Sequence, residues 1–293
     1  MASIRLSIII AVQHARKNLP DIIRQLDFPG HEGVEYLFCY TDADPGIETC
    51  VSKSDHVHLI KSPSGSLIPH LWRDGILAAR GQYVAITTAH CIPSDDWVDN
   101  LLSLDMSDKV GAGGVIDNDQ GSDSMGWAIF FQRYIAFASP QVLHMANEIA
   151  ADNAIYCRAD VVSHGDLMER GFWEPSFHAR FRTAGLQMYI APCLRVVHKN
   201  RYSASQYFKQ RYAHGREFGL ARAHSLGIMK QLILIVLSPV LPVVFLRKII
   251  LAAGKNKQYV SQLPRALPWL LLFLIAWGTG EASGYLSSLY RTS

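Results

Sequence analysis

Four short runs constrain this chain more than any other feature. Leu6–Val12 (LSIIIAV), Val34–Tyr40 (VEYLFCY), Val57–Ile60 and Tyr83–Thr87 are dense in β-branched and aromatic residues and read as buried strands. Between them, Leu19–Leu26 and Ile68–Ala79 carry apolar residues at helical spacing. Pro20 suits a first helical turn, Gly81 suits a helix cap, and Pro29-Gly30 and Gly33 break the chain after the first helix. Strands alternating with helices imply βαβ units, and so an α/β fold around a mostly parallel sheet. In open sheets of this kind ligands bind beyond the carboxyl ends of strands. That directs attention to the polar loop after Tyr83–Thr87, where Thr88-Ala89-His90 leads through Pro93 and Trp97 into a helix over Asp96–Leu104.

The later chain is read as a strand over Val110–Ile116, an exposed loop over Asp117–Ser124 and an aromatic stretch, Trp127–Ala138, that suits helix or strand equally. A short strand within Ala151–Arg158 leads to a helix over Ala159–His164. A second helix, Phe177–Ala184, stops at Gly185, and strands follow at Met188–Ile190 and Leu194–His198. Tyr207–Leu226 is a basic helix with interleaved aromatics.

Charge is unevenly distributed. Residues 1–194 carry 14 Lys and Arg against 23 Asp and Glu, whereas residues 195–265 carry 13 against one, Glu217. An acidic body with a basic, apolar tail points to an anionic surface as partner. Nucleic acid is not the expected partner, because long apolar runs follow the basic stretch. Leu232–Leu246 and Ala266–Gly280 are uncharged runs of 15 residues containing Pro239, Pro242 and Pro268. A spanning helix needs about 20 residues. Arg247, Lys248, Lys255, Lys257 and Arg265 lie on the connector and its flanks, and would sit on the wrong side if the first run crossed. A hairpin dipping into the cytoplasmic leaflet accommodates both facts, the alternative being two core helices packed on the body. Five cysteines without a C-x-x-C pair argue for a reducing compartment, and no signal peptide opens the chain, so the body is expected to be cytoplasmic. Residues 1–205 are expected to form one domain and residues 206–293 a basic helix with the hairpin.

Several separated motifs resemble glycosyltransferase family 2 and its GT-A fold. They are Ile8–His14, Thr41-Asp42-Ala43-Asp44, the helix Arg73–Gly81, the Thr88–Trp97 loop, Trp173-Glu174 followed by Arg180-Phe-Arg-Thr-Ala-Gly185, and Ala191–His198. The tail Trp277–Leu286 looks more loosely like the ending of membrane-associated members. The resemblance implies a Rossmann-like domain that transfers a sugar, with inversion, from a nucleotide-sugar to a glycan or lipid-linked acceptor beside membrane lipid. It also implies Mg²⁺ or Mn²⁺ on an Asp-x-Asp motif, and here the chain departs, with Thr88 and His90 in place of the two carboxylates.

Within the resemblance, Glu174 takes the place of the general base, and Phe172 and Trp173 beside it would raise its pKa by desolvation. It also suits a helix start, since Pro175 follows. Asp152 is the second catalytic candidate. Val12, Gln13, Asp42 and Asp74 fall where the donor nucleotide is held, although Asp42 equally suits a turn. Thr88 and His90 are donor-site candidates, and His90 with His198 is a candidate metal pair. The alternatives are direct contact between His90 and the diphosphate, or loss of donor binding, which would leave a non-catalytic module. Arg180 and Arg182 lie two apart on a helix, so at most one reaches a phosphate. Gln210 and Arg211 are candidates for a diphosphate or lipid phosphate, the alternative being an interfacial helix drawn to anionic lipid.

Overall fold

The computed structural model describes residues 4–26, 31–51, 54–224 and 226–291. The break expected at Pro29-Gly30 lies outside them. The strands are β1 (Leu6–Val12), β2 (Val34–Tyr40), β3 (Val57–Lys61), β4 (Tyr83–Thr88), β5 (Cys91–Pro93), β6 (Gly111–Asn118), β7 (His144–Ala146), β8 (Asn153–Cys157) and β9 (Met188–His198). The helices of the first half are α1 (Leu19–Gln25), α2 (Ile47–Cys50), α3 (Ile68–Ala78), α4 (Trp97–Ser103), α5 (Ser124–Arg133) and α6 (Arg158–Val162). Those of the second half are α7 (Gly165–Met168), α8 (Glu174–Thr183), α9 (Ala204–Ala223), α10 (Ile228–Leu237), α11 (Leu241–Ala253) and α12 (Lys257–Arg291).

Two compact units emerge: residues 1–119 with 137–201, and residues 120–136 with 202–293. The first is built on one sheet in the order β3-β2-β1-β4-β8-β6-β9-β5, with β7 also on β9. β3, β2, β1 and β4 pair in parallel, and every residue of β1 and β2 is buried. β8 runs antiparallel to both β4 and β6. α3 buries Ile68, Leu71, Trp72 and Ile76 against this sheet, and the Trp72 indole donates to the Thr87 carbonyl at 2.9 Å.

Several boundaries differ from the sequence reading. Gly81 is not a left-handed cap, since α3 ends in extended backbone at Ala79. Its smallness is needed because a Cβ there would lie 2.6 Å from the Ser7 hydroxyl. The two strands expected around Pro192 are one, β9, which presents its register in two stretches to β6. α8 begins three residues early, at Glu174. The ambiguous aromatic stretch is helical, as α5.

In the second unit, α5 and α9 pack against α12. The two 15-residue runs underestimate the helices. Ile228–Ala253 forms a helical stretch of 26 residues and Lys257–Tyr290 one of 34, each long and apolar enough to cross a membrane. α9 and α12 approach backbone to backbone. A Cβ on Gly215 or Gly219 would lie 2.3 Å from the Trp277 or Glu281 carbonyl oxygen, and one on Gly280 or Gly284 2.2 or 2.3 Å from that of Tyr212 or Arg216. Each helix thus offers a Gly-x-x-x-Gly face to the other, the small-residue contact common between helices in lipid.

Candidate functional site

β1 has β2 on one side and β4 on the other, so the chain changes direction across the sheet between β1 and β4. A crevice opens at such a switch point, beyond the carboxyl ends of the strands. Ala11 lies opposite Thr88, and Thr87 opposite Asn153. The ends of β1 and β4 and the start of β8 therefore converge. Asn153 anchors that start: its amide nitrogen donates to the Val115 and Leu194 carbonyls, each at 3.0 Å, and its oxygen accepts from the Trp97 indole at 2.8 Å.

Asp152 is thereby held beside the β4 loop. Its carboxylate accepts from the Thr88 hydroxyl at 3.2 Å and its carbonyl from the Thr87 hydroxyl at 2.9 Å. All three residues are buried. The His90 ring meets the Gln13 carbonyl through Nε2 at 2.9 Å. A carbonyl can only accept, so Nε2 carries a proton. Gln13 in turn donates to the Ser66 carbonyl at 3.0 Å, and Val12 is buried at the end of β1. His198 stands with its ring 6.3 Å from that of His90 and is bonded through Nδ1 to Asn118 at 3.3 Å.

Glu174 opens α8 and is half-buried. β8 also carries Tyr156, which the sequence reading did not single out. Burial first, and then the charges of Glu174, Glu148 and Asp152, push the Tyr156 phenol well above its usual range. The phenol and His178 Nε2 are 3.0 Å apart, and His178 Nδ1 lies 2.7 Å from Glu148, which also pairs with Arg182 at 2.7 Å.

The other candidates disperse. Asp42 is exposed and pairs with Lys61 at 2.6 Å. The buried acid of that loop is Asp44, whose carboxylate accepts from the backbone amides of His14, Ala15 and Arg16 at 2.6, 3.1 and 3.3 Å. His14 takes a left-handed φ of 57° to point its amide there. Asp74 accepts from Ser62 and Arg73. Arg180 reaches Asp166 at 2.9 Å in an exposed pair on the opposite side of α8 from the Arg182–Glu148 pair. Gln210 and Arg211 lie in the second unit, buried. Gln210 accepts from Arg211 at 2.9 Å and donates to the Tyr202 hydroxyl at 3.0 Å, and the guanidinium lies over the rings of Tyr207 and Trp277. No carboxylate among the described residues pairs with Arg211, and burial lowers its pKa. Two surface clefts, of about 350 and about 470 Å³, lie along β5 and β9 and beside α3 and α7; neither is lined by Thr88, His90, Asp152 or Glu174.

The β4 loop offers Mg²⁺ or Mn²⁺ no carboxylate at Thr88 or His90, whereas these hard ions prefer oxygen ligands. Among the described residues no three His, Cys, Asp or Glu side chains gather as a cation site. Thr88 and His90, at the end of β4, are bonded to Asp152 and Gln13.

No family model and no curated protein matches this chain. Solved structures do. The mannosyltransferase PcManGT from Pyrobaculum calidifontis, in complex with GDP-Man and Mn²⁺, matches with a TM-score of 0.55 over 99% of this chain and 88% of its own, at 13% identity. The fold is GT-A. GalNAc-T7 with UDP, GalNAc and Mn²⁺ matches with a TM-score of 0.51 over 76% of this chain, at 14% identity, and the match spans 52% of GalNAc-T7.

Proposed function

We propose that this chain is an inverting glycosyltransferase that moves a sugar from a nucleotide-sugar to a glycan or lipid-linked acceptor at the cytoplasmic face of a membrane, in polysaccharide biosynthesis. The observation that carries the reading is the GT-A fold, with Asp152 held against Thr88 at the carboxyl end of β4. The donor lies over the ends of β1 and β4, against Val12, Gln13, Thr88 and His90, with Asp42 and Lys61 at the nucleotide end and Asp74 and Arg180 more remote. Glu174 takes the proton of the acceptor hydroxyl. The acceptor oxygen bonds to the anomeric carbon from the face opposite the nucleotide. The anomeric carbon–oxygen bond to phosphate breaks and its electron pair leaves with the nucleoside diphosphate. Asp152, positioned by its bond to Thr88, orients sugar hydroxyls.

Residues 1–205 carry this chemistry and residues 206–293 attach it to lipid. Arg211, buried and without a carboxylate partner among the described residues, is suited to a lipid phosphate. The hairpin lies in one leaflet, because Arg247, Lys248, Lys255 and Lys257 would otherwise have to cross.

The test is turnover of a panel of nucleotide-sugars by the full chain in detergent, read as released nucleoside diphosphate. Glu174→Gln is expected to lower turnover by about 100-fold or more while nucleoside diphosphates still bind. A Glu174→Gln chain with full turnover would remove Glu174 as the base. Binding without turnover, for wild type and every acceptor tried, would favour a non-catalytic module, which the Thr88-Ala89-His90 loop also allows.

A further inference from the structure

A GT-A crevice must neutralise a diphosphate whose charge grows as the sugar leaves, and the β4 loop of this one offers no carboxylate at Thr88 or His90 to hold a hard cation. Side chains near that loop can supply the compensating charge instead. Asn18 shows which. It is fully buried at the start of α1. Its amide nitrogen donates to the Ala89 carbonyl at 2.8 Å and to the Lys199 carbonyl at 3.0 Å, and its oxygen accepts from Arg201 Nε at 2.6 Å. The amide joins the Thr88-Ala89-His90 loop to the segment after β9, which it grips at the Lys199 carbonyl and the Arg201 guanidinium.

The two cations of that segment differ. Lys199 is engaged, with its ammonium on Asp21 at 3.0 Å, and that contact is the first cause holding Asp21 below the usual carboxylate range. Arg201 touches Asn18 through Nε alone, and its two terminal amino groups bond no described residue. Asp21, the acid whose pKa it depresses, is already taken by Lys199 and Arg24. Arg201 is thus a guanidinium fixed at its base and open at its fork, two hydrogen bonds from the Ala89 carbonyl. A planar fork held this way matches two phosphate oxygens at once, and anchoring reduces the side-chain entropy lost on binding.

Resting on the glycosyltransferase reading above, we propose that this chain binds its donor diphosphate without a divalent cation, and that Arg201, locked by Asn18, supplies the charge a metal would bring. Thr88 and His90 then stand where carboxylates are unnecessary, since without a metal two acids there would only repel the diphosphate.

Calorimetry on the full chain in detergent tests this, with UDP, GDP, ADP, CDP and dTDP as probes, each in excess EDTA and in MnCl₂. For the nucleotide that binds, affinity in EDTA is expected within about twofold of that in MnCl₂. Arg201→Ala is expected to weaken it tenfold or more under both conditions, and Arg201→Lys to recover part of the loss. The parent nucleoside should bind the Arg201→Ala chain as it binds wild type, so the loss belongs to the phosphates and not to a disturbed fold. A tenfold gain in affinity from Mn²⁺, or full affinity in Arg201→Ala, would overturn the proposal and leave the glycosyltransferase reading standing. Failure of all five nucleotides in both conditions would overturn both.

Discussion

Glu35 is a carboxylate near the start of a fully buried strand, and its partners explain why it is tolerated. It accepts from the Ser7 hydroxyl at 2.7 Å, from the Arg80 amide at 2.7 Å and from Arg80 Nε at 2.8 Å. Ser7 in turn accepts from the Gly81 amide at 2.8 Å, so the cluster joins β1, β2 and the turn into β4. Burial alone would raise the Glu35 pKa, but the hydrogen bonds and the charge of Arg80 outweigh it and hold the carboxyl below its usual value of 4.5. A depressed folded pKa adds stability above the unfolded value, and that stability is lost as pH falls through the folded one. Glu35→Gln is therefore expected to cost about 2 kcal/mol at pH 7, roughly 5 °C in melting temperature. The gap to wild type should narrow as pH falls below about 4; thermal melts at pH 7 and at acid pH read it directly, and a gap that widens in acid would contradict the assignment. The density of apolar residues makes such a strand legible but says nothing about which acids are enclosed. The loop Thr41-Asp42-Ala43-Asp44 shows the same limit. Both acids suit a turn, and only the left-handed residue at His14, brought there by the end of β1, selects Asp44 as the one that gathers three amides.

At the scale of elements, β1 to β4 and α3 were readable because their residues satisfy a local period and a global burial pattern together. Asp152 and Glu174 are candidates from motif order, whereas the place of Tyr156 follows only from β8 pairing antiparallel with β4. The tail was misjudged in length for a physical reason. Counting uncharged residues stops at Arg247 and Arg265, whereas a helix continues wherever its backbone bonds close and its face finds a partner. α12 runs on through Pro264, Pro268 and Arg265 to Arg291. The partner face was present in the sequence as Gly215-x-x-x-Gly219 and Gly280-x-x-x-Gly284, and that spacing is the signal to look for. Gly219→Leu must push α9 from α12, because its Cβ would stand 2.3 Å from the Glu281 carbonyl oxygen. The expected cost is about 3 kcal/mol or more, visible as an earlier unfolding transition in detergent by Trp277 fluorescence. Gly254→Ala, with an ordinary right-handed φ of −57° and its nearest neighbour at 3.4 Å, is the matched control and should be within about 0.5 kcal/mol of wild type. Equal stability of the two variants would mean that the helices do not meet at these glycines.

For the whole molecule, the second unit turns the usual arrangement of a water-soluble surface inside out. Met229, Val236 and Val243 are 71%, 76% and 66% exposed, while Gln231 and Glu281 are buried. Gln231 donates to the Ala223 and Leu226 carbonyls at 3.1 and 2.9 Å, and Glu281 accepts from Tyr285 at 2.7 Å and Arg222 at 3.3 Å. Polar groups that bond inward beneath an apolar exterior suit hydrocarbon as the surrounding solvent. The cations Arg247, Lys248, Lys255 and Lys257 add an electrostatic contribution of about 1 kcal/mol for each one near an anionic surface. Two components of binding can then be separated. In flotation assays the full chain is expected to rise with vesicles of neutral lipid and to rise more completely when anionic lipid is included. Salt at about 1 M shortens the Debye length to about 3 Å, so it should remove the anionic increment and leave the neutral-lipid fraction bound, whereas detergent should release all of it. Val236→Asp with Val243→Asp is expected to lower the salt-resistant fraction, and reversing Lys255 and Lys257 to Glu the anionic increment alone. A full chain that salt strips completely would be held by charge only, and the exposed apolar face of α10 and α11 would then need a protein to cover it.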